Sequence, residues 1–268
     1  MQSGQVSWIT GASSGIGEAV AKVLAGQNHK LILSARREQE LQRVKSECLQ
    51  LGAKEEDIFV LPLDVSALDA MAVKVERAHN QFGRIDLLFN NAGISQRSLC
   101  TETEMQTYKK LFDVDVFGQI ALTKHVLPIM LAQGCGHISV TASVAGKIGV
   151  PYRTGYCAAK HAIMGFFDAL RAEVDQKNIY VSTITPGFIR TNISSAALNG
   201  DGSEFGRMDK DIETGMDADE AAKKIVKGWH KGKLEIPVGK GIEMHALWIK
   251  RLLPKLMHKI AAKKAAPV

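Results

Sequence analysis

Three residues near the middle of the chain, Ser143, Tyr156 and Lys160, could together do acid–base chemistry on a single oxygen atom. Residues 137–141 are β-branched and short-run, and read as a buried strand with Ser143 just past its carboxyl end. Beyond Tyr156, the apolar residues Ile163, Phe166, Phe167 and Leu170 recur at helical spacing, so Tyr156 and Lys160 stand at the opening of a helix. Four residues apart, they project from one face, about 6 Å apart along the axis. A free tyrosine keeps its proton until about pH 10. An ammonium beside it favours the phenolate and draws its pKa toward the working range. The phenol could then give a proton to a carbonyl oxygen, or take one from an alcohol, while the serine hydroxyl holds that oxygen. A Tyr-x-x-x-Lys pair also occurs on ordinary helix surfaces, so the spacing needs support from elsewhere in the chain.

That support begins at the amino terminus. A short apolar run at 6–9 is followed by Thr10-Gly11-Ala12-Ser13-Ser14-Gly15-Ile16-Gly17, and then by Ala19, Val20, Val23 and Leu24 at helical spacing. Strand, glycine-rich turn and helix form the context of a dinucleotide-binding loop. The glycines let backbone N–H groups approach a pyrophosphate, and the helix amino terminus adds partial positive charge. Gly11, Ser13, Ser14, Gly15, Ile16 and Gly17 are therefore candidate phosphate ligands. A plain βα turn also tolerates glycines, but three at this spacing favour phosphate.

With these motifs in order, the chain resembles the short-chain dehydrogenase/reductase family over about residues 6–191. The resemblance places the family's adenine-side Asp at Asp64, followed by Val65, and its Asn-Asn-Ala-Gly motif at Asn90, Asn91, Ala92 and Gly93. The active-site Ser, Tyr and Lys fall on Ser143, Tyr156 and Lys160, and the nicotinamide-side residues on Pro186, Gly187, Ile189 and Thr191. It implies a Rossmann-like single domain and NAD(P)(H)-dependent oxidoreduction. One position departs: where the family has a helix Asn ordering a relay water beside the Lys, this chain has Asp115. A carboxylate accepts the same hydrogen bonds but donates none, and its charge would keep Lys160 protonated.

The elements that must hold these groups alternate. Strands are expected at 6–9, 31–33, 58–61, 87–89, 137–141, 180–184 and 234–238, and helices at 38–51, 67–81, 103–133, 158–176 and 217–231, besides the one after the glycine loop. The pattern predicts an α/β fold: a Rossmann-like, doubly wound parallel sheet in a three-layer α/β/α single domain. Every motif named above falls at a strand's carboxyl end. After the second strand the chain reads Leu33-Ser34-Ala35-Arg36-Arg37, with no acid to bond a ribose 2′-hydroxyl before Glu38. Arg36 and Arg37 suit a 2′-phosphate instead, so NADP(H) is the expected cofactor, with one of the two arginines a solvated loop charge.

Ile94, Val144, Ala145, Ile148, Val150 and Phe188 flank the catalytic positions and suggest an apolar pocket for a small carbonyl or alcohol substrate. Residues 192–215 are Gly/Ser/Asp-rich and aperiodic, and are expected to form a mobile substrate lid within a catalytic domain spanning 1–239. Residues 240–268 form a basic extension: seven Lys and Arg against one Glu give +6, the formal charge of the entire 268-residue chain. Leu247, Trp248, Leu252, Leu253, Leu256, Met257 and Ile260 interleave with those bases, broken by Pro254. Packing on the core or a partner subunit is one reading, and peripheral contact with anionic lipid the sharper one. Nucleic acid is not expected, because the basic charge is confined to one amphipathic end.

At 46% hydrophobic residues the chain can bury a core, and no stretch reads as long and apolar enough to cross a membrane. The first strand begins too early to leave room for a signal peptide, and Cys48, Cys100, Cys135 and Cys157 lack metal or disulfide spacing, so a cytoplasmic location and no metal are expected. Cys157, adjacent to Tyr156, reads as packing. Homodimers or homotetramers are expected from the family resemblance, with 103–133 and 158–176 as candidate interface helices. The competing function is a non-catalytic NADP-binding regulator that retains the fold.

Overall fold

The computed structural model describes residues 4–264. Strands β1 (Val6–Thr10), β2 (Lys30–Ser34), β3 (Ile58–Val60), β4 (Leu87–Asn90), β5 (Gly136–Thr141), β6 (Ile179–Pro186) and β7 (Glu235–Val238) form one sheet in the order β3-β2-β1-β4-β5-β6-β7. Every pairing is parallel. A parallel sheet is covered on both faces, which is why its strands read as unbroken apolar runs rather than alternating ones.

Between and after the strands lie α1 (Gly15–Ala25), α2 (Glu38–Gln50), α3 (Met71–Phe82), α4 (Met105–Phe112), α5 (Gly118–Gln133), α6 (Thr154–Glu173), α7 (Lys210–Glu213), α8 (Ala218–His230), α9 (Ala246–Leu252) and α10 (Pro254–Lys264). Successive strand residues point to opposite faces. Trp8, Ile32, Leu88, Ile138 and Val181 therefore join one core with α3, α5 and α6, while Ile9, Leu33, Phe89, Ile184 and Ile236 join another with α1, α2 and α8. Each such buried aliphatic side chain contributes about 1.5–3 kcal/mol. The chain runs outward through β1, β2 and β3, then returns to β4 on the other side of β1. That reversal opens a crevice at the carboxyl ends of β1 and β4, where open α/β sheets hold ligands.

The expected helices are present with shifted ends. The helix expected from residue 67 begins at Met71, after a 3₁₀ turn at Leu68–Ala70, and the helix carrying Tyr156 begins at Thr154. The stretch 103–133 is one rod from Met105 to Gln133, whose α4 and α5 halves are joined by a π-helical turn at Asp113–Phe117. This rod corrects one expectation: by length and composition it is apolar enough to cross a membrane. Its Leu122, Val126 and Met130 are buried in the sheet core.

Two expected segments take definite form. Residues 192–215 are threaded by bridges from Leu198 to Gln96 and Glu204 and contain α7, with Ser194, Ala197 and Leu198 buried. The basic extension folds as α9 and α10. Of its expected residues, 265–268 and the side chains of Leu247 and Lys264 lie outside the described residues.

Candidate active site

The glycine loop connects β1 to α1 and is shaped by close backbone approach. A side chain at Gly17 would place its Cβ 2.3 Å from the Gly11 carbonyl oxygen and 2.7 Å from Asn91 Nδ2, so only glycine fits. Gly15 turns the loop in the left-handed region at φ +58°, facing the Thr191 side chain. The Ser14 side chain makes no capping hydrogen bond, which leaves first-turn amides of α1 for an anion. Thr10 Oγ1 accepts from the N–H groups of Asn91 and Ala92, both at 3.0 Å. Asn91 Nδ2 donates to the Thr10 carbonyl (3.2 Å), and Thr141 Oγ1 donates to Asn91 Oδ1 (3.1 Å). Asn91 thus ties together the carboxyl ends of β1, β4 and β5, beside Ala92 and Gly93.

The two arginines after β2 separate. Arg36 lines a cleft with Pro62, Leu63, Asp64, Ala67, Ala70 and Lys74. Arg37 lines a different one, with Ser13, Ser14, Gly15, Arg43, Arg190, Thr191 and Asp217. The first has an apolar floor suited to a flat base, with cations at its rim, and the second is polar and opens on the glycine loop. Val65, next to Asp64, is buried. On the other flank, Ile189 is buried and bridges to Met216, and the Gly187 N–H donates to the Val238 carbonyl (2.8 Å).

Ser143 leaves β5 and caps a short 3₁₀ turn, its Oγ accepting from the Ala145 N–H at 3.1 Å and reaching toward the Pro186 carbonyl at 3.5 Å. Tyr156 lies in the first turn of α6, packs against Ala145 and Cys157, and is 8% exposed. One helical turn on, the Lys160 ammonium lies 5.6 Å from the Tyr156 ring centroid and donates to the Thr141 carbonyl at 3.1 Å. The structure therefore gathers the three residues around the end of β5. Cys157 does not join them: Val150 N–H donates to its sulfur, and burial pushes its thiol pKa up. His137 is likewise interior packing, bonded to Ser182 and held neutral by burial, which pushes its pKa down to about 3.

Asp115 sits in the π turn, a helical irregularity frequent at functional sites. Its side chain is fully buried. Oδ1 accepts from the Ile94 N–H at 2.8 Å, and Oδ2 lies 3.2 Å from Lys160 Nζ, with no hydrogen-bond partner in proper alignment among the described residues. Burial opposes the charge on Lys160, but the Asp115 carboxylate and then Tyr156 outweigh it and hold the ammonium pKa above its ordinary value. Burial raises the Asp115 carboxyl pKa, against the pull of Lys160 and the Ile94 N–H. The ammonium is thus the firmly charged member, and the carboxylate takes up a proton more readily than an ordinary aspartate. Two other buried acceptors on this side, Asn90 Oδ1 and Gln119 Oε1, also have no hydrogen-bond partner among the described residues.

The side facing residues 192–215 depends on residues that carry no recognisable spacing. Asp209, in the segment expected as a lid, accepts from Arg97 at 2.5 Å and from Arg153 at 2.7 Å, and Arg153 also donates to Ser95 Oγ. Arg97 covers the rings of Tyr152 and Phe205. Gln96 Oε1 accepts from the Gly155 N–H, beside Tyr156. Residues 192–215 are therefore fastened by one carboxylate to two loops, through Arg97 to the one after β4 and through Arg153 to the one preceding α6. The only sequence hint was that Arg153 stands three residues before Tyr156. Nothing local pairs it with an acid 56 residues on. Of the residues expected to line an apolar pocket, Val144, Ile148 and Val150 cluster with Met244, Ala246 and Met257 of the extension.

Known proteins match the chain over most of its length. The family model for short chain dehydrogenases matches residues 5–202. A Drosophila melanogaster protein, dehydrogenase/reductase SDR family protein 7-like, is 41% identical over 263 residues, covering 98% of this chain and 81% of the relative. A Burkholderia phymatum short chain dehydrogenase/reductase, solved in complex with NAD, superposes with a TM-score of 0.80 at 25% identity, covering 99% of this chain and 97% of that one. A metagenomic short-chain oxidoreductase solved with NADP gives a TM-score of 0.66 at 31% identity, over 69% of this chain and 83% of that one.

Proposed function

This chain belongs to the short-chain dehydrogenase/reductase family, and from that premise we propose that it is an NADP(H)-dependent oxidoreductase acting on a small apolar carbonyl compound or the matching secondary alcohol. The observation that carries the reading is the gathering of Ser143, Tyr156 and Lys160 at the end of β5, beside the crevice where the sheet order reverses. When bound, the nicotinamide supplies or accepts the hydride. Ser143 Oγ holds the substrate oxygen, and Tyr156 passes the proton to or from it. Lys160, kept charged by Asp115, stands beside the Tyr156 ring and would bond the nicotinamide ribose.

The residues of the crevice fit the dinucleotide. The amides of the glycine loop at Gly11, Ser13, Ser14, Gly15, Ile16 and Gly17 would hold the pyrophosphate. Leu63, Asp64 and Val65 would flank the adenine, and Asn91, Ala92 and Gly93 would line the path to the nicotinamide. Pro186, Gly187, Ile189 and Thr191 would close its far side. The preference for NADP(H) rests on Arg36, which shares the adenine-side cleft with Leu63, Asp64 and Lys74 and has no competing acid at the end of β2. Arg37, on the pyrophosphate side, is the weaker candidate.

Residues 192–215 serve in this reading as the lid, held down by the Asp209 latch. Assembly as a homodimer or homotetramer is proposed through the rod and α6, where Phe117 and Leu131 are 49% and 42% exposed. The test is a panel of apolar ketones, aldehydes and secondary alcohols with NADPH and NADH, followed by the change in nicotinamide absorbance. Turnover that prefers NADPH supports the reading. Cofactor binding with no turnover across the panel would return the chain to a regulatory role.

A further inference from the structure

The extension has two faces, and the second is bare. Its inner face is fixed to the active-site wall: Ala246 and Met257 pack on Val144 and Ile148, and the Lys250 ammonium donates to the Lys147 carbonyl at 2.5 Å. At the base, Glu243 accepts from the Phe188 N–H, and a Cβ at Gly187 would meet Glu243 Oε1 at 2.4 Å. The extension is thus seated against the segment that follows Ser143 and against the loop that follows β6. Its outer face leaves Trp248 68% exposed, Leu252 70%, Leu253 55%, Leu256 45% and Ile260 39%. Trp248 and Leu252 are four apart on α9, and Leu256 and Ile260 four apart on α10, so each pair shares a helix face.

Exposed cations surround this apolar strip at Arg251, Lys255, Lys259 and Lys263, and Glu243 is the last acidic residue of the sequence. The remainder of the chain is charge-balanced, so the basic excess lies on this strip and nowhere else in bulk. A large apolar patch of that kind marks an interaction surface. Bases without acids, flanking Trp and Leu on short helices, match one partner in particular: an interface with anionic headgroups above and acyl chains below.

We propose that α9 and α10 form a docking surface for anionic lipid bilayers, and that docking sets the wall of the substrate pocket against the membrane. The side chains of Trp248, Leu252, Leu256 and Ile260 enter the headgroup boundary, while the bases engage lipid phosphates. The docking itself stands on these contacts alone. Its consequence, that apolar substrates arrive from the lipid phase, rests on the oxidoreductase reading.

The chain carries its own reporter. Of its three tryptophans, Trp8 and Trp229 are 0% and 4% exposed, so any lipid-dependent change in tryptophan emission comes from Trp248. The full chain is titrated with vesicles of phosphatidylcholine, with and without phosphatidylserine, at low and high salt, and sedimented with them. The expected result is a blue shift and co-sedimentation with the phosphatidylserine vesicles only, both reversed by salt. Lys255→Ala and Lys259→Ala should each weaken binding about fivefold. The double variant Leu252→Glu/Leu256→Glu should lose binding while keeping the melting temperature and the activity on a water-soluble carbonyl. Absence of the shift, or vesicle binding by the double variant equal to wild type, overturns the proposal. So does a lipid-free oligomer whose Trp248 emission is already blue-shifted and which the double variant splits, because a second copy of the chain then covers the face.

Discussion

The two halves of the sheet's carboxyl edge make their sites from different materials. The half around β1 and β2 is built mainly of backbone, glycine turns and first-turn amides, braced by the Thr10 and Asn91 side chains and flanked by Arg36 and Arg37. The half around β5 and β6 is built of side chains, namely Ser143, Tyr156, Lys160, Asp115 and the Arg97–Asp209–Arg153 latch. A backbone site depends on room, so it tolerates change in side-chain chemistry and fails when atoms are added. A side-chain site depends on particular functional groups, so it tolerates small changes of shape and fails when a proton or a charge is removed. Damage to the first half should appear in cofactor affinity, and damage to the second in turnover.

The sharpest contrast is Tyr156→Phe, which should reduce kcat to background while NADPH affinity, read by fluorescence titration, stays within a few-fold. Measurable turnover by that variant would take the proton transfer away from Tyr156. The reverse pattern is expected of Gly17→Ala. Its Cβ would overlap the Gly11 carbonyl, and relieving such an overlap costs about 1–3 kcal/mol. NADP and NAD affinities should fall together, by about five- to a hundredfold at 1.4 kcal/mol per decade. If kcat falls at saturating cofactor and affinity does not, the division between the halves is wrong.

A finer contrast lies within the first half, between Arg36 and Arg37. A charged hydrogen bond to a phosphate contributes about 1.5–3 kcal/mol. Arg36→Ala should raise the KM for NADPH by that amount and leave the KM for NADH nearly unchanged, while Arg37→Ala should do less. Equal effects of Arg37→Ala and Arg36→Ala on NADPH would show that both read the 2′-phosphate.

The smallest effect on rate, and the most informative about the second half, concerns Asp115. Asp115→Asn keeps the acceptor and adds a donor, so it should stay active. Because burial raises the Asp115 pKa, the wild type gains a proton there as pH falls toward and through the carboxylate range, at higher pH than an ordinary aspartate would. That step should mark the acidic limb of its kcat profile and be missing from the Asn variant. Asp115→Ala should be the slower enzyme, and also the less stable by about 3–5 kcal/mol, since it strands the buried Lys160 ammonium. Superimposable pH profiles for wild type and both variants would reduce Asp115 to a structural carboxylate.

The same division explains what could be read from the sequence. The glycine loop was legible because room is written as glycine at fixed intervals, and the strands because burial on both faces leaves apolar runs. Tyr156 and Lys160 were legible because helical periodicity alone puts residues four apart on one face. The latch was not: Arg97, Arg153 and Asp209 meet through chain reversals that leave no local period. The π turn was also hidden, since a single wide turn barely disturbs the apolar repeat of a long rod. For the extension, the sequence left open whether its apolar residues pack on the protein or meet lipid, and the structure divides them: Ala246 and Met257 pack on Val144 and Ile148, while Trp248 and Leu252 are exposed.

The Asp115 carboxylate also changes the reach of the site. An uncompensated buried ammonium is a monopole, whose potential falls only as the inverse of distance and draws anions from across the crevice. With a carboxylate 3.2 Å away, the two form a dipole, whose potential falls one power of distance faster. Lys160 can therefore act strongly on the Tyr156 ring 5.6 Å away and hardly at all on a molecule still approaching. In the proposed reading, such a centre would not select substrates by their charge. It would leave recognition to shape and apolar contact, and keep its electrostatic influence for the oxygen already in place.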